Sequence, residues 1–401
     1  MAMAKIRTAI VTLLVLLATG CGSSEPLPRT PFQKALARMP SMIMGLEMRP
    51  LKMKGFVFNN VAYTKDERRL VLQKIDREEP RLNWLLSMGH NIGSSVDRVL
   101  PLGKWNHTDL MNPTTWKWNI YDISNDHEVI CSDANMDEFI TWMTRHSFQI
   151  LNRQYATVLQ QVGRHVDADV FGSGVVIGPD GAVYIERQIP SDNTLDPAFR
   201  LYTGEGQSLM VVPEIYEVTS RLPENAFTSM VLKLDTSVSK HNQQSQEYWG
   251  GIPIGVPLEQ EQTVSALNLG RPKSLTWMGV AHILRNGRHG LQFELLYSSE
   301  EDAKNDLVPL QIAIKESMGR FTKKNWWKED LYLMEPEIKV DGKFISIWAD
   351  FDIDEKWRDK IEKLDLTQKE SEEAWLEQVR ALFDFLDKLQ RHDYGPFWTA
   401  E

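Results

Sequence analysis

The chain has 401 residues, a quarter of them charged, with 55 acidic against 45 basic side chains and a formal net charge of −10. That length supports one or two hydrophobic cores, and the acidic balance argues against nucleic acid as a partner and against a polybasic membrane patch. Only two cysteines, Cys21 and Cys131, are present, which rules out a disulfide framework as the source of stability.

The first two dozen residues organise the reading. Lys5 and Arg7 form a basic start with no acidic residue among the first twenty positions. An apolar run from Ala9 to Ala18 follows and ends in the small residues Thr19 and Gly20. The run is far shorter than the ~20 residues a bilayer-spanning helix needs, so it suits the core of a signal peptide. Ala18-Thr19-Gly20-Cys21 resembles the lipobox of bacterial lipoproteins, with Ala18 where that family most often has Leu. The resemblance implies lipidation of the Cys21 thiol, cleavage before Cys21 and acylation of the new amino terminus, palmitate being the expected acyl class. Two or more acyl chains, at ~0.8 kcal/mol per buried methylene, anchor a protein essentially permanently. The alternative is an ordinary cleaved leader followed by a chance cysteine. Removing residues 1–20 takes away two basic side chains, so the mature balance is 43 minus 55, or −12.

Residues 21–30 are rich in Gly, Ser and Pro and read as a lipidated tether. Pro31 to Pro40 reads as a short amphipathic helix whose Phe32, Leu36 and Met39 dock onto the body. Gly55 to Tyr63 is expected to be a strand, Thr64 to Glu79 a helix, and another helix begins near Leu82 after Pro80. Thr115 to Ile123 alternates with period two and reads as a half-buried strand. Asn135 and Glu138 make a capping box before a helix expected to reach Leu151. Val175–Ile177 and Ala182–Ile185 form a hairpin across Pro179-Asp180-Gly181. Leu209 to Val212 reads as a short strand, and Pro213 opens a helix.

From His241 to Gln262 the chain turns polar, then rich in Gly and Pro, and a linker is expected at 241–262 between an α+β lobe at 31–240 and a second at 263–401. The second stretch holds a hairpin from Leu275–Ala281 and Leu291–Tyr297 and a helix capped by Ser299 containing Pro309. Another hairpin pairs Ile338–Val340 with Phe344–Trp348 across Asp341-Gly342. A short helix at Asp354–Leu364 follows. Thr367 and Glu370 then start a C-terminal amphipathic helix to Gln390, whose Trp375, Val379, Leu382, Leu386 and Leu389 make an apolar stripe. Strand pairs on tight turns, each followed by a helix, give an α+β fold with two lobes and largely antiparallel sheets. The halves read as candidate repeats of one unit, without a period that establishes it.

The motifs that carry chemistry are sparse. Asp133, Asn135 and Asp137 start like a calcium loop but have Glu138 at its glycine position, and Asp350, Asp352 and Asp354 depart in the same way at Glu355. Ser237-Val238-Ser239-Lys240 and Ser191-Asp192-Asn193 match two penicillin-binding-protein motifs in reversed order. Gly172-Ser173-Gly174 misses dinucleotide spacing, and the nine histidines show no metal-ligand spacing. No cofactor, no metal and no catalytic residue is expected. Cys131, in an apolar segment, reads as a buried, inert thiol. Among thirteen tryptophans, Trp116, Trp118, Trp326 and Trp327 are the candidates for stacking on a sugar or peptide, against the plainer role of filling contacts.

Pro31-Phe32-x-x-Ala35-Leu36 and Tyr297-Ser298-Ser299-Glu300-Glu301-Asp302-Ala303 resemble stretches of uncharacterised predicted bacterial lipoproteins. That resemblance implies no activity and supplies no site residues. The expectation is a lipid-anchored protein facing outside the cytoplasm, in the cell membrane or outer membrane, that binds or scaffolds an envelope protein or glycan. The alternative is an envelope hydrolase acting on wall or glycan.

Overall fold

The computed structural model describes residues 26–45, 54–63, 116–123, 127–145, 148–152, 155–161, 174–186, 195–234, 272, 274–285, 288–319, 322–352 and 395–397. The leader with Cys21, the linker 241–262, the helices expected at 64–79, from 82, at 354–364 and at 367–390, and the Ser-x-x-Lys and Ser-Asp-Asn motifs lie outside them.

Among the described residues twelve strands form one antiparallel sheet: β1 (Lys54–Asn59), β2 (Trp116–Asp122), β3 (His127–Ser132), β4 (Phe148–Asn152), β5 (Thr157–Gln161), β6 (Gly174–Ile177), β7 (Ala182–Glu186), β8 (Ala226–Lys233), β9 (Leu275–Arg285), β10 (Arg288–Tyr297), β11 (Glu337–Asp341) and β12 (Phe344–Asp350). Their spatial order is β11-β12-β10-β9-β8-β1-β2-β3-β7-β6-β5-β4. The helices are α1 (Pro31–Leu36), α2 (Met136–Arg145), α3 (Leu195–Tyr202), α4 (Pro213–Thr219) and α5 (Glu300–Glu316). The architecture is α+β, and strands from both expected lobes share the single sheet.

Residues opposite one another in neighbouring strands point to the same face, so the register sorts the core. On the first face lie Phe56, Phe58, Ile120, Val129, Tyr184 and Val231, joined into one apolar cluster from Val158 in β5 to Trp348 in β12. Helices α1, α3 and α4 cover it with Phe32, Leu36, Ala198, Tyr202, Ile215 and Val218. The second face carries two separate clusters. Phe139 and Met143 of α2 pack on Ile130, Leu159, Val183 and Ile185, while Ala303, Leu310 and Ile314 of α5 pack on Val280, Phe293 and Ile347.

Local chemistry explains the boundaries. Thr30 and Gln33 form a reciprocal capping box for α1, with Pro31 in the first turn, and Phe32, Leu36 and Met39 are buried as expected. Asn135 Oδ1 accepts from the Asp137 N–H at 3.1 Å, so the acidic run there starts α2. That helix stops at Arg145 rather than Leu151, because Phe148 and Ile150 alternate onto the second-face core and Phe148–Asn152 pairs with β5. Leu209–Val211 is a 3₁₀ turn, not a strand, since Ser208 Oγ accepts from the Met210 N–H at 3.1 Å. Ser299 caps α5 as expected, its hydroxyl taking the Asp302 N–H at 3.1 Å. The β6–β7 and β11–β12 turns place Gly181 at φ 76° and Gly342 at φ 57°, the left-handed region that glycine enters without steric cost.

The strand order repeats itself. β1-β2-β3 is followed by α2, and the last returning strand, β7, pairs with β3. β8-β9-β10 is followed by α5, and β12 returns to pair with β10. The two sets meet at the β1–β8 pair, with β4 and β5 as extra strands in the first.

Candidate functional site

Of the four tryptophans singled out from sequence, Trp116, Trp326 and Trp327 are buried and Trp118 is half-buried. Trp326 and Trp327 are 0% and 1% exposed, at the turn after α5; Trp326 meets Phe397 edge-on at 5.8 Å and Trp327 lies 5.5 Å from Phe293. The Trp327 indole donates to the Met334 carbonyl at 2.8 Å, the partner a buried indole N–H requires. Trp116 belongs to the core under α2, and Trp118 is half-buried, 6.3 Å from Phe58. The four do not gather into one platform. Cys131 is half-buried rather than closed off, and burial pushes its thiol above the usual range, which disfavours the thiolate. Asp133 pairs with Lys117 at 2.5 Å. Among the described residues no group of three or more His, Cys, Asp or Glu side chains is placed to hold a metal ion.

What residue-by-residue reading missed is a row of polar side chains crossing the second face. Thr228 Oγ1 donates to Asn59 Oδ1 at 3.1 Å, Asn59 Nδ2 to Asn119 Oδ1 at 3.1 Å, and Asn119 Nδ2 to Glu128 Oε1 at 2.9 Å. Thr228 lies opposite His282, whose Nε2 is 3.1 Å from His289 Nδ1. Phe227 packs tilted against both imidazoles, with ring centroids at 5.0 and 5.3 Å. The row thus spans β10, β9, β8, β1, β2 and β3. Asn59, Asn119, Glu128, Thr228 and His282 are all 1% exposed or less. Groups so deeply buried keep their place only by satisfying one another. No short-range pattern marks them, because each strand contributes only one.

Two smaller polar groups sit on the first face. Asp122 accepts the His127 backbone N–H at 2.9 Å and lies 3.3 Å from its Nδ1, with Glu186 opposite His127 in β7. Glu294, 2% exposed, accepts from the Ser346 hydroxyl and the Gln292 amide, both at 2.7 Å. Burial raises its pKa, and the two hydrogen bonds offset that in part. Over this group Arg221 stacks 4.1 Å above Phe344 and pairs with Asp341 at 2.7 Å.

The outer strands differ in chemistry. β11 alternates Glu337, Lys339 and Asp341 outward, and Glu337 is tied to Arg285 at 3.0 Å. β4 carries no charge, ends in a bulge between Ile150 and Asn152, and exposes Leu151. Charge guards one edge, while shortness and a bulge guard the other.

No protein-family model and no curated protein matches the chain. Among solved structures, crystal form I of TP0453 aligns over 87% of this chain and 97% of its own at 7% identity and a TM-score of 0.34. Crystal form III of TP0453 aligns over 74% and 88% at 8% identity and a TM-score of 0.30. Overlap at that level carries no functional argument.

Proposed function

We propose that this is a lipid-anchored protein facing outside the cytoplasm, a non-enzymatic component that binds or scaffolds a partner at the cell envelope. The observation that carries the reading is the order of basic start, short apolar run, small residues and Cys21 in the first 21 positions. The body supports it in a second way. The deeply buried polar groups bond to one another across strands, which suits a rigid platform better than a reaction centre. Among the described residues no helix is long and apolar enough to cross a membrane. Partners of this platform are an envelope protein or glycan.

Cys21→Ala tests the anchor: the wild-type chain should enter the detergent phase of a Triton X-114 partition and the variant the aqueous phase. Equal partitioning sinks the reading. Crosslinking from native membranes, followed by mass spectrometry, tests the scaffold role by asking for a reproducible envelope partner. The rival, an envelope hydrolase, draws on Glu294, a carboxyl group kept protonated more readily than usual by burial. Glu294→Gln separates the two, because a hydrolase using it as an acid loses turnover on wall glycan while a scaffold keeps its partner.

A further inference from the structure

The polar row has a symmetry that the sequence conceals. Asn59 is opposite Asn119 in β2, and Thr228 is opposite His282 in β9. Asn119 is opposite Ile130 in β3, and His282 is opposite Leu291 in β10. Two residues before Ile130 stands Glu128, bonded back to Asn119; two residues before Leu291 stands His289, in contact with His282. A two-fold axis through the Asn59–Thr228 pair therefore exchanges Asn59 with Thr228, Asn119 with His282, and Glu128 with His289. Every position of the row has a polar counterpart, and the row is centred on the joint between the two β-β-β-α units.

We infer that the chain is two diverged copies of one unit joined edge to edge at β1 and β8, and that the polar row is the register lock of that joint. A lock is needed because hydrophobic patterning alone leaves the joint ambiguous. A slip of one residue would turn every side chain to the wrong face, but a slip of two preserves the faces. Sliding β8 by two puts Val57 opposite Leu232 instead of Met230 and Phe58 opposite Val231 instead of Ser229, so one pair stays apolar and the other becomes apolar, while Phe56 at the strand end comes to face Lys233. The row penalises that slip most directly: Asn59 would face Met230, and the Asn59–Thr228 bond would be lost inside the core. Buried polar pairs that fix register at a stability cost are the best-attested use of such groups. On this inference the second unit begins at β8, ahead of the linker expected at 241–262.

The test is a pair of disulfide traps in the full-length chain, with Cys131→Ser to remove the other described thiol. Val57→Cys/Met230→Cys reports the native register. Val57→Cys/Leu232→Cys reports the slipped one, because diagonal neighbours at roughly 7–8 Å lie beyond disulfide reach. With Asn59 and Thr228 in place, only the first trap should close under mild oxidation. In the Asn59→Val/Thr228→Val background, the second trap should close at least tenfold more than before, with bonds mapped by peptide mass spectrometry. A slipped trap that stays open in a folded double-valine chain overturns the lock. If the double-valine chain does not fold, the Asn59→Thr/Thr228→Asn exchange decides, since it keeps a donor and an acceptor on the axis. It should fold and close only the native trap. An exchange that unfolds as well, or that closes the slipped trap, overturns the inference.

Discussion

The two faces of the sheet solve the same covering problem differently. The first face is one apolar cluster reaching from β5 to β12 under three short helices. The second has two clusters, one under each of the two helices that follow a three-strand set, with a hydrogen-bonded row crossing it at the joint. The contrast shows how cohesion and alignment are divided. The continuous face ties both halves together through non-directional burial, which separates registers two residues apart only weakly. The divided face supplies direction, because a hydrogen bond fails when its partner moves by one pair.

That division is open to disruption. The largest effect belongs to the continuous face: Phe58→Ala removes a ring that is 1% exposed and stacked on Phe32 at 5.5 Å. It should cost about 3–5 kcal/mol and lower the global urea midpoint. Phe139→Ala, under α2, should instead raise hydrogen exchange in β3–β7 while leaving β9–β12 protected. Uniform loss of protection would break the contrast between the faces.

Next comes the polar row. Asn119→Ala leaves the Asn59 amide and the Glu128 carboxyl each short of one partner, at about 1–3 kcal/mol for each unsatisfied group. A double-mutant cycle with Thr228→Ala should give a coupling well above experimental error, because both act through Asn59. Additive losses would mean that the row does not act as one network.

A third test concerns how closely α4 presses on the continuous face. A side chain at Gly279 would overlap Val218 and Leu222, so Gly279→Val should cost about 1–3 kcal/mol, visible as a lower Tm. Val218→Ala should recover part of it by making room, which a purely backbone effect at Gly279 would not allow.

The smallest shift is expected at Glu294. Burial raises its pKa, so the fold favours the neutral carboxyl. Wild-type stability is therefore full below the ordinary glutamic range and falls as the pH climbs through the raised folded value. Glu294→Gln stays neutral throughout and can still accept from Ser346 and pair with Gln292. Its Tm should show no such fall, overtaking the wild type as the pH rises to neutral. Parallel pH profiles for the two chains would contradict this.

Much of the fold was legible locally. Caps at Asn135 and Ser299 and the turns at Gly181 and near Gly342 rest on contacts within a few residues, whereas the strand at Trp116–Asp122, expected to be half-buried, is buried on both faces from Asn119 to Asp122. Local reading failed where distant pairing decides. Phe148–Asn152 continues a helical pattern on paper, yet becomes a strand because β5 offers it a ladder. Leu209–Val211 looks extended but is held by the Ser208 cap. β8 passes without a turn signal of its own and is defined by the two strands beside it.

The same division holds for function. The sequence by itself determined the features that depend on order along the chain: the leader pattern ending at Cys21, the acidic balance, the helix caps and the hairpins. It showed tryptophans and a thiol but not their burial, because exposure is a property of what else arrives at the same place. Only the tertiary structure decided that the strands form a single sheet, that its two halves repeat, and that Glu128, Asn119, Asn59, Thr228, His282 and His289 share one row. Those six residues stand as far as 230 positions apart, counting from Asn59 to His289. Hydrogen bonding between strands, which acts across space and leaves no period in the chain, brings them together.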